Sequence, residues 1–187
     1  MMRTYGLLIL MTFAFTHTGC STTTQNSNLD DLQTERNQQL AAELTHEATE
    51  FIDSDPEEAM RLLRLAVQAD LFYGPAHNNM GVVLLNVGQL YEAAEEFDWA
   101  RRLMPGHPDP RINLGIALER GGKVDDALEA YASAIEVFPG HLPSIQALAR
   151  LQIRSGQRDE WTNELLEEII QRSNEDWKRW AKSQAMK

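Results

Sequence analysis

The chain has 187 residues and one cysteine, and 28 acidic against 17 basic side chains leave a formal charge of −11. That length suits one domain plus a tail. The acidity argues against a nucleic-acid ligand, whose affinity rests on neutralising phosphates, and a lone cysteine excludes an intramolecular disulfide.

Residues 1–19 stand apart from the rest. Arg3 supplies a short positive start, and Tyr5 to Phe15 is an apolar run of 11 residues. A helix crossing a bilayer needs about 20 apolar residues, so the run reads as a secretory signal. Thr18-Gly19-Cys20 follows it. This resembles the cleavage site of bacterial lipoproteins, whose cysteine becomes the lipidated first residue; His17 stands where that family has an aliphatic residue. The resemblance implies a lipid on Cys20, the only cysteine in the chain. Residues 20–30 are polar with almost no apolar side chain, so they read as a tether that cannot join a core. Ser21 after the cysteine resembles the outer-membrane class. The expected location is therefore the bacterial cell envelope, lipid-anchored, on the outer membrane facing the periplasm.

Helical spacing begins in residues 31–73, where Leu40, Leu44, Ala48 and Phe51 recur on one face. Asp55-Pro56-Glu57-Glu58 is a helix start: a capping carboxylate, proline in the first turn, then acids near the positive end of the helix dipole. From Gly74 a single pattern is written twice, over 74–107 and 108–141. Asn79 and Asn113, Gly81 and Gly115, Leu84 and Leu118, Gly88 and Gly122, Ala93 and Ala127, and Ala100 and Ala134 all stand as i and i+34. Pro105-Gly106-His107 recurs as Pro139-Gly140-His141. A fixed period of this size signals a stacked array. Small Gly81 and Ala93 mark where two helices approach closely, while Leu84 and Phe97, with Leu118 and Tyr131 in the next copy, fill the space between helices. Gly88 and Gly122 end the first helix of each pair in the left-handed conformation. Pro105 and Pro139 close the second.

This arrangement resembles the tetratricopeptide repeat (TPR), with His77 and Arg111 standing where that family has an aromatic residue. Ala59, Leu63 and Ala66 precede Ala93, Phe97 and Ala100 by the same period, so residues 31–73 read as a degenerate first repeat, with Glu47 in the place of Gly81. Residues 142–172 read as a partial, capping repeat: Leu148, Ala149 and Gly156 keep the period, but Trp161 replaces the small residue. Solenoids need such caps because the last unit has no neighbour. Residues 173–187 form a last helix, expected to fold back with Trp177 and Trp180 over the final repeat. The expected fold is all-α: a short TPR-like solenoid of helical hairpins with C-terminal capping helices.

No nucleophile–base motif, zinc spacing or phosphate loop occurs, so no enzyme, cofactor or metal is expected. His107 and His141 share one loop position but lie two helix diameters apart, about 20 Å, too far for one ion. The acidic pairs Glu95-Glu96, Asp125-Asp126 and Glu167-Glu168 fall on second helices and read as solvated faces. The resemblance implies a groove lined by first helices, to which Asn78, Asn79, Val82 and Leu85 contribute from one repeat and Ile112, Asn113 and Ile116 from the next. Asn79 and Asn113 match the family's ligand-gripping asparagine, and an apolar floor with amides suits an extended or helical segment of a protein partner. The expected function is a membrane-tethered protein–protein interaction adaptor; the alternative is an accessory subunit activating an envelope enzyme such as a peptidoglycan hydrolase.

Overall fold

The computed structural model describes residues 36–186, which form nine helices and no strand. Cys20, the 1–19 segment and the 20–30 tether lie outside the described residues. The helices are α1 (Gln38–Thr49), α2 (Pro56–Ala69), α3 (Gly74–Asn86), α4 (Leu90–Leu103), α5 (Asp109–Arg120), α6 (Val124–Val137), α7 (Leu142–Ser155), α8 (Glu160–Arg172) and α9 (Glu175–Ala185).

Local chemistry sets the helix starts at both ends of the array. Asn37 Oδ1 accepts from Leu40 N at 3.0 Å, and Asp55 Oδ1 accepts from Glu58 N at 3.1 Å with Pro56 opening α2. Asp159 and Thr162 form a reciprocal capping box on α8, and Asn174 Oδ1 accepts from Trp177 N at 3.1 Å on α9. Each such cap is worth about 1 kcal/mol. The central helices α3 to α7 have no side-chain cap. Their ends are set instead by repeated turns. Gln89 N donates to Leu84 O (2.9 Å), Lys123 N to Leu118 O (2.9 Å) and Gln157 N to Gln152 O (2.8 Å), one bond in each of three successive units. A bond spanning five residues at a helix C-terminus needs a left-handed residue inside it. Gly88 (φ 81°), Gly122 (φ 76°) and Gly156 (φ 73°) supply it.

Every helix packs on its neighbours in the chain, and consecutive first helices also touch: α1 on α3, α3 on α5, α5 on α7. The second helices do not: α2 with α4, α4 with α6 and α6 with α8 have no Cα pair within 8 Å. An array closer-packed along one side curves toward that side, so the first helices line its inner, concave face. The hairpins close on a glycine–aromatic contact. A Cβ added at Gly81 would lie 2.6 Å from Phe97 Cε1, and one at Gly115 2.4 Å from Tyr131 Cε1. Both rings are fully buried.

The apolar filling divides into two clusters. One runs from Ala48 through Leu63, Leu84 and Phe97 to Ala117; the other from Ala127 through Tyr131 and Leu148 to Ile169 and Ala181. Half-buried Ile116 packs against both. Trp177 and Trp180 meet edge to face at 5.2 Å and cover the second cluster, against which Trp161 also packs. At the other end, Asp70 is 1% exposed and accepts from Arg36 Nε (2.8 Å), Arg36 Nη2 (3.0 Å) and Phe72 N (3.0 Å). Burial pushes its pKa up, and those donors more than reverse the push, holding the carboxyl below its ordinary value. No helix among the described residues is long and apolar enough to cross a membrane.

Candidate functional site

The inner face carries a row of amides and aliphatic side chains. Asn113 Nδ2 on α5 donates to Asn78 Oδ1 on α3 at 3.0 Å, and Asn78 Nδ2 to Asn79 Oδ1 at 3.4 Å. Asn78, Asn79 and Asn113 are half-buried, as are Val82, Ile112 and Ile116. Leu85 differs from expectation: it is 7% exposed and belongs to the first cluster. Helix α3 buries Met80, Gly81, Val83, Leu84 and Leu85 together, so its apolar pattern runs nearly all round and marks no groove face. The amides that join Asn113 to Asn78 still hold unused hydrogen-bonding capacity, because each side chain offers two donors and one carbonyl acceptor.

One end of the row is tied down by charge. Glu119 on α5, its side chain 11% exposed, accepts from the Tyr131 hydroxyl at 2.8 Å and pairs with Arg154 at 2.9 Å and Arg150 at 3.6 Å. Burial, with the Glu119 hydrogen bond second, pushes the Tyr131 pKa far up. Glu119 thus joins three helices rather than facing a ligand freely. Arg120 Nη1 donates to Leu85 O at 3.4 Å across the hairpins.

His77, in the place of the family's aromatic, is 6% exposed. Its Nδ1 lies 2.7 Å from Glu96 Oε2 and its Nε2 2.9 Å from Leu71 O. Leu71 O accepts, and so does Glu96 when ionised, so this geometry favours the protonated ring, which donates from both nitrogens. Burial opposes that charge, but the hydrogen bonds to Glu96 and Leu71 outweigh it and the pKa is raised. The ring stacks on Trp99 at 6.1 Å and 24°. Glu96 is therefore not a solvated carboxylate, which corrects the reading of Glu95-Glu96 as one open face. Asp125 accepts from Gln157 Nε2 at 2.9 Å and Glu168 pairs with Arg172, while Asp126 and Glu167 are exposed. His107 is exposed in its loop, and His141 Nδ1 meets Ser144 Oγ at 2.7 Å. Among the described residues no cluster of three or more His, Cys, Asp or Glu could hold a metal ion.

The outer face holds a second feature. Because α4 and α6 do not meet, a cleft of about 700 Å³ opens between them over Leu114 and Leu118 of α5. Tyr91 (69% exposed) and Trp99 (49% exposed) line it from α4. The sequence reading passed over both. The signal was there: Tyr91, Glu95 and Trp99 recur every four residues, one helical stripe, beside the buried Ala93, Phe97 and Ala100 that face inward.

No protein-family model matches this chain, and no curated protein matches it. Solved structures do. A crystal structure of MamA superposes with a TM-score of 0.62 at 23% identity, covering 68% of this chain and 77% of that one. The first TPR of Spaghetti (RPAP3), bound to the HSP90 peptide SRMEEVD, superposes with a TM-score of 0.62 at 15% identity, covering 65% and 98%. MamA from Desulfovibrio magneticus RS-1 gives 0.61 at 17% identity, covering 70% and 74%. These likenesses bear on the fold. With its fixed repeat period, its helix-ending left-handed glycines and its nine stacked helices among the described residues, the chain has the all-α helical-hairpin solenoid fold of TPR proteins.

Proposed function

We propose that the protein is a protein–protein interaction adaptor of a bacterial cell envelope, tethered to its membrane through lipid on Cys20, and that it takes a partner segment along the concave row. The observation that carries this reading is the bond between Asn78 and Asn113 at 3.0 Å, flanked by half-buried Val82, Ile112 and Ile116. It sets a line of fixed amides against aliphatic surface, the chemistry that grips the backbone of an extended or helical segment while covering its apolar side chains. One of the similar solved structures has a peptide bound, which supports the reading by analogy of fold.

Two experiments test it. A photo-cross-linker placed at Val82 or Ile112 in whole cells is expected to capture a protein, and Asn79→Ala with Asn113→Ala should weaken that complex at least about tenfold, since losing a hydrogen bond whose partner stays buried costs about 1–3 kcal/mol. Circular dichroism should show the variant folded. Capture from a site such as Glu57 with none from the row would refute the groove. Cys20→Ser is expected to move the protein from the membrane fraction to the soluble periplasm. A wild-type protein found soluble with a free thiol would end the tether reading and leave the groove standing.

A further inference from the structure

We propose that the cleft between α4 and α6 is a second docking site, for a protein segment with an apolar anchor flanked by lysine or arginine. It lies on the opposite face from the concave row, so the two readings stand or fall separately.

Three observations converge on the occupant. The first is shape. The cleft exists because the repeat period puts small residues opposite large ones: Trp99 on α4 corresponds to Ser133 on α6, and Glu96 to Ala130. Its volume of about 700 Å³ falls within the range of ligand-binding clefts, and Leu114 and Leu118 give it an apolar floor. The second is preorganisation. Trp99 is half in solvent, yet its ring is held by stacking on the buried His77, whose own position is fixed by Glu96 and the Leu71 carbonyl. An exposed aromatic already held in place loses little freedom on binding, and such residues dominate interface energetics.

The third is charge. Of the lining side chains, Asp98 takes both Arg101 and Arg102, and Glu96 takes His77. Glu95, Asp126 and Glu129 remain, exposed and without an ion pair among the described residues, against Lys123 and the one positive charge left over where two arginines share Asp98. A guanidinium or ammonium entering here meets carboxylates on both walls and the faces of Trp99 and Tyr91, combining charge-assisted hydrogen bonds with cation–π contact. An anionic lipid surface or a nucleic acid would be repelled. The chain's own residues 20–35 are an equally poor match, since they carry Asp30, Asp31 and Glu35 and no basic residue.

The probe is a fluorescein-labelled amphipathic leucine–lysine peptide, with a leucine–glutamate peptide of the same pattern as control, titrated by anisotropy into the full chain. The lysine peptide is expected to bind and the glutamate peptide not to. Glu95→Gln with Asp126→Asn and Glu129→Gln should weaken binding at least tenfold, and Trp99→Ala by a similar factor. The three charge changes are at exposed positions, so they keep the test valid if Trp99→Ala perturbs the fold. Gln substitutions at the distant exposed Glu57 and Glu167 should change affinity less than twofold. Equal binding by wild type and the three-site variant would overturn the proposal. So would loss of binding in Asn79→Ala with Asn113→Ala, which would move the peptide to the concave face. Self-association of the unliganded protein that the three-site variant abolishes would overturn it too, by putting a second copy in the cleft.

Discussion

Phe97→Ala is expected to lower the stability by about 3–5 kcal/mol, the usual cost of emptying a fully buried aromatic site. Phe97 has no exposed surface, and its ring lies against the bare backbone of Gly81, where even a methyl group would be 2.6 Å from Cε1. The partner substitution should also destabilise. Glycine in a helix interior is normally worse than alanine by about 0.5–1 kcal/mol, so Gly81→Ala would stabilise an ordinary helix. Here the added carbon must push aside a buried ring, and the sign reverses; Gly81→Leu should cost about 1–3 kcal/mol or more by overpacking. Because the two residues touch, Gly81→Ala combined with Phe97→Leu should cost less than the two single changes together. Gln89→Ala, at an exposed turn position, should alter little. Urea denaturation followed by circular dichroism measures all of these, and a stabilising Gly81→Ala would show that the helices do not meet there.

The protein should lose stability as pH rises through the folded-state pKa of His77. That pKa is raised above 6.5, burial being outweighed by the hydrogen bonds to Glu96 and Leu71. A raised pKa means that the folded state holds the proton more tightly than the unfolded chain. The stabilisation is complete below the unfolded value, about 6.5, and disappears as the pH climbs past the folded one. His77→Phe keeps a ring to stack on Trp99 but removes both donors. It should cost about 1–3 kcal/mol at low pH, and the gap to wild type should narrow at higher pH as the charged bond to Glu96 is lost, leaving the share from the Leu71 carbonyl, to which the neutral ring's one N–H still donates. A gap that widens with pH would contradict the imidazolium assignment.

The repeat period makes most of the fold legible in the sequence. Glycine, alanine and aromatic positions recur because each hairpin faces the same contacts, and the left-handed glycines follow from the same turn repeated. What stayed hidden depended on pairs that no period links. Glu96 lies on a different helix from His77, so nothing in the pattern separates it from its solvated neighbour Glu95. Leu85 was misread because α3 is apolar almost all round, and a helix without a polar side does not say which of its flanks is open. The cleft needed a different comparison, of what the repeats place where they are not alike: Trp99 against Ser133.

The division of the apolar filling into two clusters that meet at Ile116 has a consequence for how the molecule comes apart. Between the clusters stands α5, whose own buried residues are only Pro110, Gly115 and Ala117. Repeat arrays hold together through nearest-neighbour contacts, and cooperative units open separately where those contacts thin. They do not thin at α5: Leu114 packs on the first cluster, Leu118 on the second and Ile116 on both. The N-terminal half, with Phe97, and the C-terminal half, with Tyr131 and the tryptophan cap, are thus clasped by one shared helix, and loosening is expected to start at the ends of the described array, where a helix has a neighbour on one side only.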